Sequence, residues 1–328
     1  MAIIFKTDAR KTMHKTVLIF LLLLPTLYAK EIIPITTIKT SGIVSDFVED
    51  KGYLYVATDA GIVDIIDLSR QQIVKQIKFA PLLTAKGDTV PARVNCIDRL
   101  DGKTLMVTSD INAYRNVWID DGKTLKKIID SKQHMMPKSA YFSSKSKIVF
   151  GSFGSDVTLY DTDENSKLYE RHISESTMGG MILSSDKKKV IVSDESGEVR
   201  LIDVDTSKVL KTFSSEHVDN IYRVAYANNI IITAGQDRRV GVYRENGKAY
   251  HIKSDFLVYA VGLSPSGRTG VYSSGFEHEL QLFNTANGNK GDKLIGHYAI
   301  PGKILFINEN SIISSGDEDR IFFWKLKK

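Results

Sequence analysis

The chain has 328 residues, 42% of them hydrophobic and 25% charged, with a formal charge of +5 and one cysteine. That length and composition support a sizeable buried core and exclude a disordered or collagen-like chain. A lone cysteine excludes an intramolecular disulfide framework, so burial and strand pairing alone must hold the fold.

The first segment reads as a targeting sequence. Lys6, Arg10, Lys11 and Lys15 precede the apolar run VLIFLLLLP at 17–25. The run is too short to span a bilayer and long enough for a signal-peptide core. Residues 1–29 are therefore expected to be a cleavable leader, with Met13 an alternative start and the cut after Ala29, and the mature chain to be periplasmic. The leader holds four basic and one acidic residue of the 44 and 39 in the chain, leaving 40 against 38. The basicity thus belongs largely to the leader, and a nucleic-acid partner loses its main support. Membrane contact is expected only through the leader before cleavage.

Beyond the leader the chain is repetitive. The ends of successive third strands fall at Ile66, Ile119, Tyr160, Ile202, Tyr243, Phe283 and Trp324. After a first interval of 53 residues the spacings are 41, 42, 41, 40 and 41, a period typical of four-stranded propeller blades. Period-2 alternation predicts half-buried strands: GIVDIID (61–67) and GEVRLID (197–203) place Val and Ile alike and turn their charged residues outward. Hairpin signals such as Asp101-Gly102 and Asn246-Gly247 lie between the strands. Units one to six supply four strands each, while unit seven has only three, at ILFI, SIISS and RIFFWKL. The unattached β-prone segment EIIPITTIK (31–39) is predicted to be the missing outer strand. This closes an all-β, seven-bladed β-propeller, one domain over residues 30–328, without a free seam. Pro34 is tolerable on an outermost strand, where its missing N–H faces solvent.

Gly296-His297 followed by SSGDEDRIFFWK resembles the Gly-His … Ser-Gly-x-x-Asp … Trp-Asp pattern of WD-repeat β-propellers. AGQDRRVGVYR (234–244) is a second match with Tyr243 in the Trp position, and Glu216-His217 a partial third. The turns are about one residue shorter than the family's, and only one repeat ends in Trp. The resemblance implies the fold, and hydrogen-bonded roles for His217 and His297 between blades. As an exported degenerate propeller the chain is also similar to NapL-type accessory proteins of periplasmic nitrate reductase.

No catalytic signature is present. The six histidines after the leader (His134, His172, His217, His251, His278, His297) show no HxH or HxxxH spacing, so no metal or other cofactor is expected. The acidic turns at Asp59, Asp194, Asp237 and Asp317–Asp319 lack the spacing of a calcium loop and read as caps of their own hairpins. Cys96, in RVNCID, reads as a small core residue.

Where the repeat is broken, a site is expected. The insert APLLTAKGDTVPA (80–92), the loop SDINAYRN (109–116) and the connection at His134 should emerge on one face. Leu82, Leu83, Lys86, Tyr114, Arg115, His134, Met135 and Met136 are therefore expected to form a partner-binding patch. Arg93, Arg223 and Lys303 each precede the first apolar residue of an inner strand (Val94, Val224, Ile304) and are expected to form a basic collar at the channel mouth. Pairing of each with a nearby carboxylate is the competing reading. The function expected is a monomeric, non-enzymatic platform for a periplasmic protein, an accessory factor for a respiratory redox enzyme. The competing readings are a propeller lactonase, quinone-cofactor dehydrogenase or hydrolase, and an envelope-assembly scaffold.

Overall fold

A computed structural model describes residues 29–326; the leader lies outside the described residues. Seven four-stranded antiparallel sheets follow one another in the chain: 44–78, 94–129, 137–172, 178–213, 221–253, 261–294 and 301–325, the last completed by Thr36–Lys39. Each runs from an inner strand at a central channel to an outer strand at the rim, and residues of all seven inner strands line that channel. The molecule is a seven-bladed β-propeller.

Seven apolar clusters lie between neighbouring blades, one at each of the seven junctions. This packing explains a departure from simple alternation. The second and third strands of a blade are covered on both faces, so Lys189–Asp194 and Arg320–Lys325 carry four or five buried residues in a row. Asp64, read from GIVDIID as outward-facing, is instead fully buried. Its carboxylate accepts from Ser41 N–H and Ser41 Oγ, both at 2.7 Å, and from Gln76 Nε2 at 2.8 Å. Such bonds make a buried charge tolerable. Alternation persists in outer strands such as Val209–Phe213, while Ser166–His172 is almost wholly exposed.

The hairpins follow their predicted chemistry. Lys51-Gly52 and Asp101-Gly102 both have positive φ at both central residues, as a tight two-residue turn needs. The twelve extra residues between blades 1 and 2 fold into a small hairpin, Leu82–Leu83 against Thr89–Val90.

Ring closure is more elaborate than the single outer strand expected from 31–39. Thr36–Lys39 pairs antiparallel with the third strand of blade 7, Thr36 opposite Phe323 and Lys39 opposite Arg320. Glu31–Ile32 instead pairs parallel with the outer strand of blade 6. Pro34 sits between the two pairings rather than within a strand. A Cβ on Gly296 would come 3.0 Å from Pro34 Cδ and 3.3 Å from Trp324 Cη2, so the Gly of the Gly-His pair leaves room for that crossing.

Candidate functional site

In a four-stranded meander, the connections between blades and the second-to-third-strand hairpins emerge on the same face. The inner strands start there, so this face carries the channel mouth. Among the described residues, eight of the fifteen exposed large hydrophobic residues belong to it: Ile43, Leu83, Val90, Ile111, Met136, Val218, Phe276 and Tyr298. Tyr53 and Leu125 are their counterparts on the opposite face. Apolar side chains gathered on one face mark an interaction surface better than isolated ones do.

The patch expected around blades 2 and 3 is partly assembled. Asp130 caps a short 3-10 turn at Ser131–Gln133, and the turn ends on His134 in the left-handed conformation. This swings the His134 ring to 4.6 Å from Tyr114, centroid to centroid. Arg115 N–H donates to Met135 O at 3.1 Å, and Met135 turns inward onto the blade 2–3 core. Met136 and Lys86 stay exposed. Leu82 and Leu83 ride on the inserted hairpin, beside a cleft of about 270 Å³ lined by Phe79, Pro81 and Val90. All eight residues lie on the mouth face, but only Tyr114, Arg115, His134 and Met135 pack together.

The collar differs from expectation in register. Six inner strands, all but that of blade 6, carry a bulge near their start, with Ser45, Asn95, Lys138, Gly179, Tyr222 and Gly302 as the extra residues. A bulge re-aims the side chains around it. The strands of blades 5 and 7 begin earlier than Val224 and Ile304, at Ile221 and Pro301. Arg223 and Lys303 thus follow the bulge and line the channel, whereas Arg93 lies one residue outside its strand. Lys303 is paired with Asp46, as the competing reading holds. Arg93 Nε reaches Ser45 Oγ at 3.2 Å instead of a carboxylate, and no carboxylate lies within ion-pair distance of Arg223 among the described residues.

Two further cations complete the mouth. Lys138 occupies the bulge of blade 3 and donates to Met178 O. Burial pushes its ammonium down to about 8, with Arg223 adding to the fall and Glu195 opposing it. Arg115 is held below its ordinary value by burial and then by Arg93, and its buried Nε has no partner among the described residues. Among the described residues Arg93, Arg115, Lys138 and Arg223 make no ion pair with a carboxylate, although Glu195 acts on Lys138 from nearby. Sequence reasoning missed Lys138 because a bulge position has no fixed place in an alternating pattern.

Sequence reasoning also missed an aromatic cluster on blades 5 and 6. Tyr222 and Tyr259 stack at 5.3 Å, Phe256 lies 6.3 Å from Tyr259, and Phe276 lies 4.5 Å from Phe256. Between these rings and the cations lies a cleft of about 270 Å³, lined by Lys138, Gly179, Tyr222, Arg223, Tyr259, Ile300, Pro301, Gly302 and Asp317. Its only signal in the sequence is aromatic residues in the connections of units four to six.

The histidines are scattered, and His217 and His297 are structural. His217 bonds Asp237 at 3.0 Å and Thr233 Oγ1 at 2.7 Å; His297 bonds Glu318 at 2.6 Å and Ser314 Oγ at 2.8 Å. Each ties the connection arriving from the previous blade to the second strand and hairpin of the next. His172 pairs with Asp156 and His251 with Glu216. Of the acidic turns, Asp194 caps its own hairpin through Ser196 and Glu198 N–H, while Asp59 accepts from Ile43 N–H in the arriving connection. Among the described residues no group of His, Cys, Asp or Glu is placed to hold a metal. Cys96 is buried, its thiol raised by desolvation and bonded to Ala140.

Comparison with solved structures accords with this geometry. The Cps50 (Swd1) β-propeller domain of Myceliophteria thermophila superposes with a TM-score of 0.70 at 13% identity, over 90% of this chain and 99% of that one. A chain of the mitotic checkpoint complex superposes with a TM-score of 0.73 at 12% identity, over 100% of this chain and 99% of that one. The fold is that of a WD-repeat-like propeller. No family model and no curated protein matches the sequence.

Proposed function

We propose that this propeller is a non-enzymatic platform that binds a protein partner on its mouth face. The observation that carries the reading is the combination on that face of exposed apolar side chains with unneutralised cations. Val218, Phe276, Leu83 and Tyr298 are between 62% and 72% exposed, on the face whose mouth is lined by Lys138 and Arg223 and which also carries Arg93 and Arg115. Apolar anchors supply affinity, and the charge steers an acidic partner. The similar chain in the mitotic checkpoint complex belongs to a multiprotein assembly, which accords with a scaffold role. Export to the periplasm rests on the leader reading, and a place beside a nitrate reductase rests only on the resemblance stated above.

The test is affinity capture from native extract by the tagged full chain, with bound proteins identified by mass spectrometry. A Val218→Ser, Phe276→Ser, Tyr298→Ser variant should lose the partner and keep its melting temperature. Replacing residues 80–90 by a short Gly-Ser turn should likewise spare the fold and weaken capture. A Tyr53→Ser, Leu125→Ser variant on the opposite face should capture normally. Capture undisturbed by both mouth-face changes would sink the assignment.

A further inference from the structure

The cleft at the mouth holds two cations that make no ion pair among the described residues, with stacked aromatic rings beside them. We propose that the cleft between Lys138, Arg223 and the Tyr222–Tyr259 pair receives a single carboxylate side chain, Asp or Glu, from an extended segment of the protein partner. The inference rests on the platform reading and deepens it.

Arg223 reaches the cleft without an ion-pair partner among the described residues, and Lys138 spends one of its three N–H groups on Met178 O. A carboxylate placed between them accepts charge-assisted hydrogen bonds from both. The floor is bare where Gly179 and Gly302 stand. At Gly179 this is structural, because a Cβ would lie 1.8 Å from Ile221 O. At Gly302 a Cβ would meet nothing within 4 Å, so the missing side chain leaves open space that the fold does not need.

The charges of the walls decide between kinds of anion. Asp317 lines the same cleft and makes no side-chain bond among the described residues, and Glu195 stands near Lys138. A polyanion such as a nucleic-acid backbone would run against both carboxylates. A peptide with one acidic side chain avoids that, and its backbone N–H groups can donate to Asp317. Val218, Phe276 and Tyr298 on the same face offer contacts for apolar residues flanking the acid. Between pH 7 and 9 such binding should take up protons. Lys138, faced by Arg223 and Glu195 and held at about 8 by burial, regains its charge when a carboxylate arrives.

The experiment uses the full chain and two fluorescein-labelled, acetylated nonapeptides of Gly, Leu and Tyr, one with central Glu and one with central Gln. The Glu peptide should bind roughly tenfold tighter or more by anisotropy at pH 7. That preference should shrink as the pH rises from 7 to 9. Gly302→Trp should fill the cleft and erase the preference with the melting temperature unchanged, and Arg223→Gln should erase it independently. Equal binding of the two peptides, or a preference that survives both substitutions, overturns the proposal. Displacement of the Glu peptide by oligo-dT at lower concentrations than by unlabelled peptide also overturns it, in favour of nucleic acid. Because partner capture is read with other substitutions, failure here leaves the platform reading standing.

Discussion

Trp324 and Tyr243 occupy the same register in blades 7 and 5, but their polar atoms fare differently. Trp324 Nε1–H donates to Ser314 Oγ at 2.8 Å. The Ser314 hydroxyl is then free to donate to His297 Nε2, and His297 Nδ1–H to Glu318, so the chain of bonds is consistent from indole to carboxylate. Tyr243 stands over Gly241, where a Cβ would come 2.5 Å from Thr233 Oγ1; among the described residues its buried hydroxyl makes no hydrogen bond, the Thr233 hydroxyl nearby being engaged by His217. Trp324→Phe should cost about 2 kcal/mol or more, from the lost bond and the space left behind. Tyr243→Phe should fall within about 0.5 kcal/mol of neutral or stabilise, because it removes an unsatisfied group. Urea unfolding of the two variants at equal m-value measures the contrast, and equal costs would refute it. Asp98 offers a second residue-scale test. Its carboxyl, bonded to Phe142 N–H at 2.7 Å, is pushed up to about 6 chiefly by burial. A folded value above the unfolded 3.8 means that the protonated form is favoured in the native state. Its stabilising contribution is therefore complete below about pH 4 and is lost as the pH rises through 6. Asp98→Asn should gain on the wild type between pH 4 and 7, by at most about 3 kcal/mol. Parallel melting curves across that range would show the argument wrong.

At the scale of elements, the N-terminal segment does two jobs with nine residues. Thr36–Lys39 completes blade 7 and buries Ile38 in the cluster between blades 7 and 1. Glu31–Ile32 adds two residues of parallel pairing to blade 6, with Ile295 N–H donating to Ile32 O at 2.9 Å. Pro34 explains the split: it cannot donate to a ladder, so pairing stops there and restarts one blade further on. Unequal roles predict unequal truncations. Removal of residues 30–35 from the mature chain should lower the melting temperature by no more than about 5 °C. Removal of 30–40 should lower it by more than about 10 °C, since it opens the ring and exposes the Ile38 site. If the two truncated chains melted together, the closure would not run through Thr36–Lys39. The inner-strand bulges are the other element-level device. They turn Lys138, Tyr222 and Arg223 toward the mouth cleft, and Lys303 into the channel behind it.

For the whole molecule, the blade count was legible in the sequence because the third-strand ends repeat about every 41 residues after the first interval, and His217 and His297 were legible because they precede the matching strands of units five and seven. A strand, its hairpin and its neighbour lie within one such unit, so hydrophobic alternation, Asp-Gly turns and the Gly-His pair report them locally. The missing fourth strand of unit seven was legible as an arithmetic deficit, and it pointed correctly to the N-terminal segment. The candidate site was less legible. Leu82, Leu83 and Tyr114 were found because they interrupt the repeat, and they do lie on the mouth face. Lys138, the Tyr222–Tyr259 pair and the bare floor at Gly302 do not interrupt it, and they left no mark. Tertiary structure alone decided which cations keep their charge free and which, like Lys303, are neutralised by a carboxylate 257 residues away. It also decided that Asp64, polar in an alternating strand, is buried. The physical reason is the same in each case. Period and turn chemistry are properties of neighbouring residues, whereas desolvation and ion pairing depend on what the adjacent blade brings, and that blade is set by ring closure.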